Sequence, residues 1–146
     1  MTKINFGRVI AGGLLAGLVL NIGEYLLNEI LLAQRWADAF KALNLPPMSG
    51  AVAAYFTVLV FALGIITIWI YAAIRPRFGA GPMTAVCAGL TVWVLASAYA
   101  AGGVMPMHLF PRRLLAYAMA FEFFLMPIAA VIGAWLYKEE DQPPAR

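Results

Sequence analysis

Four long apolar stretches dominate the pattern of hydrophobic and polar positions, and short polar connections separate them. Each stretch can cross a bilayer core, which needs about 20 apolar residues in a helix. The predicted spans cover about residues 9–33, 51–74, 83–104 and 114–137. The pattern therefore predicts one all-α membrane domain over residues 1–146, a polytopic four-transmembrane-helix bundle with a polar, disordered tail at 138–146.

The first connection, residues 33–50, carries a pattern of its own. Trp36, Phe40 and Leu43 recur at the i, i+4 and i+7 spacing of one helix face, and Asp38 falls on another. This spacing is typical of a helix whose apolar face rests on the membrane surface. We therefore expect a short interfacial amphipathic helix between spans 1 and 2.

Composition supports the membrane assignment. Only 12% of the residues are charged and 64% are hydrophobic, whereas soluble domains carry about 25% charged residues. The net charge of +3 is small and has no clustered basic face, which argues against a nucleic-acid partner. The single cysteine, Cys87, excludes an intrachain disulfide. The expected partners are the lipid bilayer and a second copy of the chain or a larger membrane complex.

The distribution of basic residues predicts an orientation. Four spans place both termini and the second connection on one side, with six Lys and Arg residues against four on the other. Cytoplasmic loops are enriched in Lys and Arg. We therefore expect a bacterial cytoplasmic (inner) membrane protein with both termini in the cytoplasm.

Polar residues interrupt the first span. Asn21, Glu24 and Asn28 lie at i, i+3 and i+7, on one helix face. Glu24 is sixteen residues beyond Arg8. Counting at 1.5 Å per residue places Glu24 about 24 Å above the inner edge of the bundle.

The fourth span carries a second acid at the same predicted depth. Glu122 lies sixteen residues before Lys138, the basic residue at the inner end of that span. The count therefore predicts one polar layer in the outer half of the bundle. The predicted members of this layer are Asn21, Glu24, Asn28, Tyr55, Thr57, Ser97, Tyr99 and Glu122.

Two interpretations of this layer stay open. Acids within a membrane are candidate functional groups, and two neighbouring acids can share one proton or bind a cation. Alternatively, the glutamates hold helices together through Asn and Tyr partners.

The Gly13-x-x-x-Gly17 pattern favours close helix packing inside the bundle over dimerisation.

The third connection carries His108, Arg112 and Arg113. The two arginines are predicted to contact lipid headgroups, or an acidic substrate on the outer side. A lone histidine and a lone cysteine do not make a His- or Cys-rich metal site, and no cofactor motif or catalytic residue is identified.

Two sequence stretches, NIGEYLLNE in the first span and IYAAIRPRFGAGP at the second turn, carry a resemblance. They resemble a loose group of small four-span bacterial inner-membrane proteins of uncharacterised activity. The resemblance implies a four-helix membrane fold over most of the chain. It implies no activity, substrate or cofactor.

Three classes of function remain open. The first is a non-enzymatic helical subunit, scaffold or stabiliser of a membrane complex, which short loops and the lack of an exposed domain favour. The second is a proton- or cation-coupled small-solute transporter built on Glu24 and Glu122. The third is a membrane enzyme acting on a lipid or quinone. The lack of a recognisable nucleophile–base pair weighs against an enzyme without excluding one.

Overall fold

The computed structural model describes residues 4–139, and the regular structure within them is helical. Helix α1 covers Phe6–Tyr25 and continues as a π-helical segment, Leu26–Leu31. The remaining elements are α2, Ala33–Ala42; α3, Gly50–Phe78; α4, Pro82–Trp93; a second π-helical segment, Val94–Ala98; α5, Tyr99–Val104; a 3₁₀ turn, Met105–Met107; and α6, Arg112–Ala134.

Four of these helical stretches are long and apolar enough to cross a membrane. They are Phe6–Leu31, Gly50–Phe78, Pro82–Met107 and Arg112–Ala134. The prediction of an all-helical fold with four apolar, span-length helices is therefore confirmed. The third stretch combines α4, a π-helical segment, α5 and the 3₁₀ turn. The predicted disordered tail begins at Lys138, and its residues 140–146 lie outside the described part of the chain.

The second and third stretches form a helical hairpin through a short turn. Gly79 and Gly81 have φ of 84° and 145°, backbone conformations that favour glycine. The Thr84 hydroxyl donates to the carbonyl of Gly79 at 2.8 Å, and the Tyr71 hydroxyl accepts from the Gly81 amide at 3.4 Å. Pro82 then occupies the first turn of α4, where its missing N–H costs nothing.

Glycines let α1 approach its two neighbours closely. A Cβ on Gly64 of α3 would meet the backbone of Gly13 and Gly17 on α1, and a Cβ on Gly12 would meet the backbone of Gly133 on α6. The Gly13-x-x-x-Gly17 pattern therefore serves packing within the bundle, as predicted. We call this region, where α1 meets α3 and α6 through glycine, the glycine-packed half.

The amphipathic connection is helical, and part of its apolar face contacts the protein. Ala39 is buried in a small core with Leu27, Leu32 and Leu114. The ring of half-buried Trp36 packs edge-on against Phe110, with centroids 5.6 Å apart. The position of α2 at a membrane surface stays a prediction.

Candidate functional site

Glu24 and Glu122 meet between α1 and α6. The helices run antiparallel, with Gly12 against Gly133 at one end and Gly23 against Leu125 further along. This register places Glu24 beside Glu122, and their carboxyl groups are close enough for their charges to interact. Both side chains are partly buried. The two glutamates are thus neighbours across the contact between α1 and α6.

Asn28 fixes the carboxyl group of Glu24. Its side-chain amide donates to Glu24 Oε2 at 2.8 Å and to the Glu24 carbonyl at 3.0 Å. The indole N–H of Trp36 donates to Asn28 Oδ1 at 2.9 Å. An indole N–H can only donate a hydrogen bond, so the side-chain oxygen of Asn28 must point towards Trp36. The NH₂ group of Asn28 therefore points towards Glu24.

Ser97 approaches the pair from the third stretch. It is 8% exposed, and its side chain lies near the Glu122 carboxyl. Ser97 belongs to the π-helical segment Val94–Ala98, and the other π-helical segment begins two residues after Glu24. Such segments are often found at functional sites. Both π-helical segments found among residues 4–139 thus lie beside the carboxyl pair.

The other predicted members of the layer lie elsewhere. Tyr55 and Tyr99 are 63% and 79% exposed and point away from the bundle interior. Asn21 donates to the carbonyls of Gly17, at 2.9 Å, and Thr57, at 3.4 Å, and not to Glu24. Counting along a helix gives the depth of a residue but not the direction of its side chain, so it grouped inward and outward residues together.

Trp36 is the site residue that the sequence did not reveal. Its spacing with Phe40 suits a membrane-facing stripe, and only the fold of the first connection brings its indole to Asn28. We call Glu24, Glu122, Asn28, Ser97 and Trp36 the carboxyl cluster.

The carboxyl cluster contains no cation. Among residues 4–139, the ion pair found joins Arg75 Nη1 to Glu139 Oε1 at 3.4 Å, far along the chain from the cluster. Within the same range, no group of three or more His, Cys, Asp or Glu side chains is arranged to hold a metal ion. The charge on the pair is therefore not balanced by a cationic side chain of the described part of the chain.

The predicted basic residues line a cleft at one end of the bundle. This cleft has a volume of about 820 Å³ and lies between α2 and the turn before α6. Its charged and titratable lining consists of Arg35, Asp38, His108, Arg112 and Arg113. We call it the basic cleft. Arg35 was not predicted to join Arg112 and Arg113.

The carboxyl cluster can bind a proton or a cation, since it presents two carboxyl groups, an amide donor and a hydroxyl. The basic cleft can bind an anion. Comparison of the chain with protein-family models, curated proteins and solved structures finds no match in any of the three.

Proposed function

We propose that this protein binds a proton, or a small cation in its place, at the Glu24–Glu122 pair and uses that binding in proton- or cation-coupled transport of a small solute. The observation that carries the proposal is the meeting of two partly buried glutamates without a cationic partner among residues 4–139. Burial and the neighbouring acid both oppose two negative charges at this place. The pair is therefore expected to hold one positive charge, as a shared proton or a bound cation.

Hydrogen bonding favours particular positions for that proton. Glu24 Oε2 already accepts a hydrogen bond from the NH₂ group of Asn28. This NH₂ group cannot accept a hydrogen bond, so a proton on Oε2 would find no acceptor there. The proton therefore belongs on the other oxygen of Glu24 or on Glu122. The Ser97 hydroxyl, which can donate or accept, suits either state of Glu122.

Proton flux in proteoliposomes tests the proposal. The full chain is reconstituted with a pH-sensitive dye inside, and an external pH step is applied. We expect the native protein to dissipate the gradient and Glu24→Gln or Glu122→Gln to abolish the flux. Glu29→Gln is the matched control, because Glu29 is an exposed acid on the same helical stretch. Equal flux in the native protein and both cluster variants would contradict the proposal.

The second candidate is a non-enzymatic helical subunit or scaffold of a membrane complex. Neither the basic cleft nor the apolar groove formed by α4, α6 and the 3₁₀ turn is lined by Glu24 or Glu122. This favours a structural role for the pair. Under this proposal, Glu24→Gln would preserve or raise thermal stability, and the chain would purify with a partner or a second copy.

We further propose that the protein lies in the bacterial inner membrane with both termini in the cytoplasm. A reporter that fluoresces only in the cytoplasm should be bright after Arg146 and dark within residues 46–50. The reverse pattern would overturn the orientation.

Spin labels at Phe40 and Leu43 test the interfacial position of α2, since they should contact lipid while a label at Asp38 contacts water.

A further inference from the structure

The basic cleft combines positive charge with a defined shape. It lies where the first stretch ends and α6 begins, so Arg35, Arg112 and Arg113 gather at one end of the bundle. Three arginines against Asp38 leave an excess of two positive charges with His108 neutral. Arginine side chains bind phosphate groups through paired, charge-assisted hydrogen bonds.

Two contacts involve the exposed side chains of Arg35 and Arg112. The guanidinium of Arg35 lies 4.8 Å from the centre of the Tyr117 ring, a cation–π geometry. Nη2 of Arg112 lies 3.5 Å from Nε2 of His108. Asp38 is held on α2 by Gln34, whose amide donates to Asp38 Oδ1 at 2.9 Å. The acid is thus bound to its own helix and does not form an ion pair with the arginines.

A separate apolar groove of about 430 Å³ lies along α6, and its α6 residues begin at Ala116, one turn beyond Arg112. At about 100° per residue, the groove residues of α6 share one face of the helix with its two arginines. The residues on this face are Arg112, Arg113, Ala116, Met119, Ala120, Phe123 and Phe124. Ala120 is seven residues beyond Arg113, about 10 Å along the helix axis. Trp93 and Met105 form the opposite wall of the groove.

We infer that the basic cleft and the apolar groove together bind one anionic phospholipid, with its phosphate at the arginines and an acyl chain along α6. The charge of the cleft selects an anion, and the groove on the same helix face provides a place for a hydrocarbon chain. A free phosphate would use the cleft but would leave the groove without a role. This inference does not depend on the function proposed for the carboxyl cluster.

Lipid binding to the full chain in detergent tests the inference. Native mass spectrometry measures binding of phosphatidylglycerol and of phosphatidylcholine with the same acyl chains, with inorganic phosphate as a competitor. We expect preference for phosphatidylglycerol, and binding about tenfold or more weaker in the variant carrying Arg112→Gln and Arg113→Gln. Arg77→Gln, at the opposite end of the bundle, is the matched control and should leave binding unchanged.

Two further variants separate the lipid site from misfolding and from simple anion binding. Asp38→Asn removes a repulsive charge from the cleft and should tighten phosphatidylglycerol binding several-fold, a gain that a misfolded protein would not show. Ala120→Phe fills the groove and should weaken lipid binding while all the arginines remain. Ala54→Phe, at an exposed position on α3, is its control.

Either of two results would overturn the inference. Equal weakening by Arg77→Gln and by the double arginine variant would show general electrostatic attraction without a site. Displacement of the lipid by millimolar inorganic phosphate, with no effect of Ala120→Phe, would show that the cleft binds the free anion and not a phospholipid.

Discussion

The two halves of the first helical stretch, Phe6–Leu31, pack against their neighbours in different ways. The first half presents Gly12, Gly13 and Gly17 to its neighbours, and backbone meets backbone. The second half presents Glu24 and, from the π-helical segment Leu26–Leu31, Asn28, and polar side chains meet instead. One helix thus carries a closely packed region and a polar region in direct succession.

The difference shows how the closely packed region positions the polar one. Contact between Gly12 and Gly133 fixes the register of α1 against α6, and this register brings Glu24 to Glu122. In a bilayer, lipid gives no hydrophobic driving force for helix association, and close contact between small residues stabilises helix pairs instead. We expect substitutions in the glycine-packed half to affect folding and those in the carboxyl cluster to affect proton binding.

The largest effect is expected from Gly64→Ala. The added Cβ would meet the backbone of Gly13 and Gly17, which cannot rotate away as a side chain can. Overpacking of this kind costs about 1–3 kcal/mol or more, so thermal unfolding in detergent should occur at a lower temperature. Gly102→Ala is the control, because nothing lies within 4 Å of its added Cβ. This variant should be neutral or more stable by up to about 1 kcal/mol. Equal melting temperatures for the two variants would show that the glycine contacts do not stabilise the bundle.

An intermediate effect is expected from Asn28→Ala. Its loss leaves Glu24 Oε2 and the Trp36 indole N–H without their partner. Both groups are only partly buried, so each lost hydrogen bond costs about 0.5–1.5 kcal/mol. Asn21→Ala should cost less, because Asn21 donates only to backbone carbonyls. Denaturation of the two variants, compared side by side, measures the difference. A larger loss of stability in Asn21→Ala than in Asn28→Ala would contradict the expected contribution of the carboxyl cluster to stability.

The smallest effect is expected from Trp36→Phe. Phenylalanine keeps much of the ring packing against Phe110 but cannot donate to Asn28 Oδ1. We expect a loss of about 1 kcal/mol in thermal or denaturant unfolding. Trp135→Phe, at a residue that is 85% exposed, is the control. If both substitutions have the same effect, the indole hydrogen bond contributes nothing measurable.

The sequence predicted the helical fold and its four apolar stretches because span length and hydrophobicity are properties of the chain itself. Counting residues also placed Glu24 and Glu122 at one depth. The direction of side chains was harder to predict, because a helix in lipid is apolar on both its buried and its exposed faces. Tyr55 and Tyr99 were assigned to the layer for that reason, yet they lie outside it.

Two features of the site depend on contacts between distant segments. Trp36 reaches Asn28 only because α2 folds back against Leu27 and Leu114. The π-helical segments beside Glu24 and around Ser97 leave no recognisable pattern in the local sequence. The cation–π contact of Arg35 with Tyr117 likewise depends on the approach of α2 to α6.

Infrared difference spectroscopy of the purified protein tests most directly whether Glu24 and Glu122 form one proton-binding pair. We expect a band of protonated carboxyl groups at neutral pH that shifts in deuterated water. Glu24→Gln and Glu122→Gln should each change this band, whereas Glu29→Gln should leave it unchanged. A spectrum in which both glutamates are fully ionised at neutral pH without an added cation, or in which each titrates independently of the other, would contradict the account.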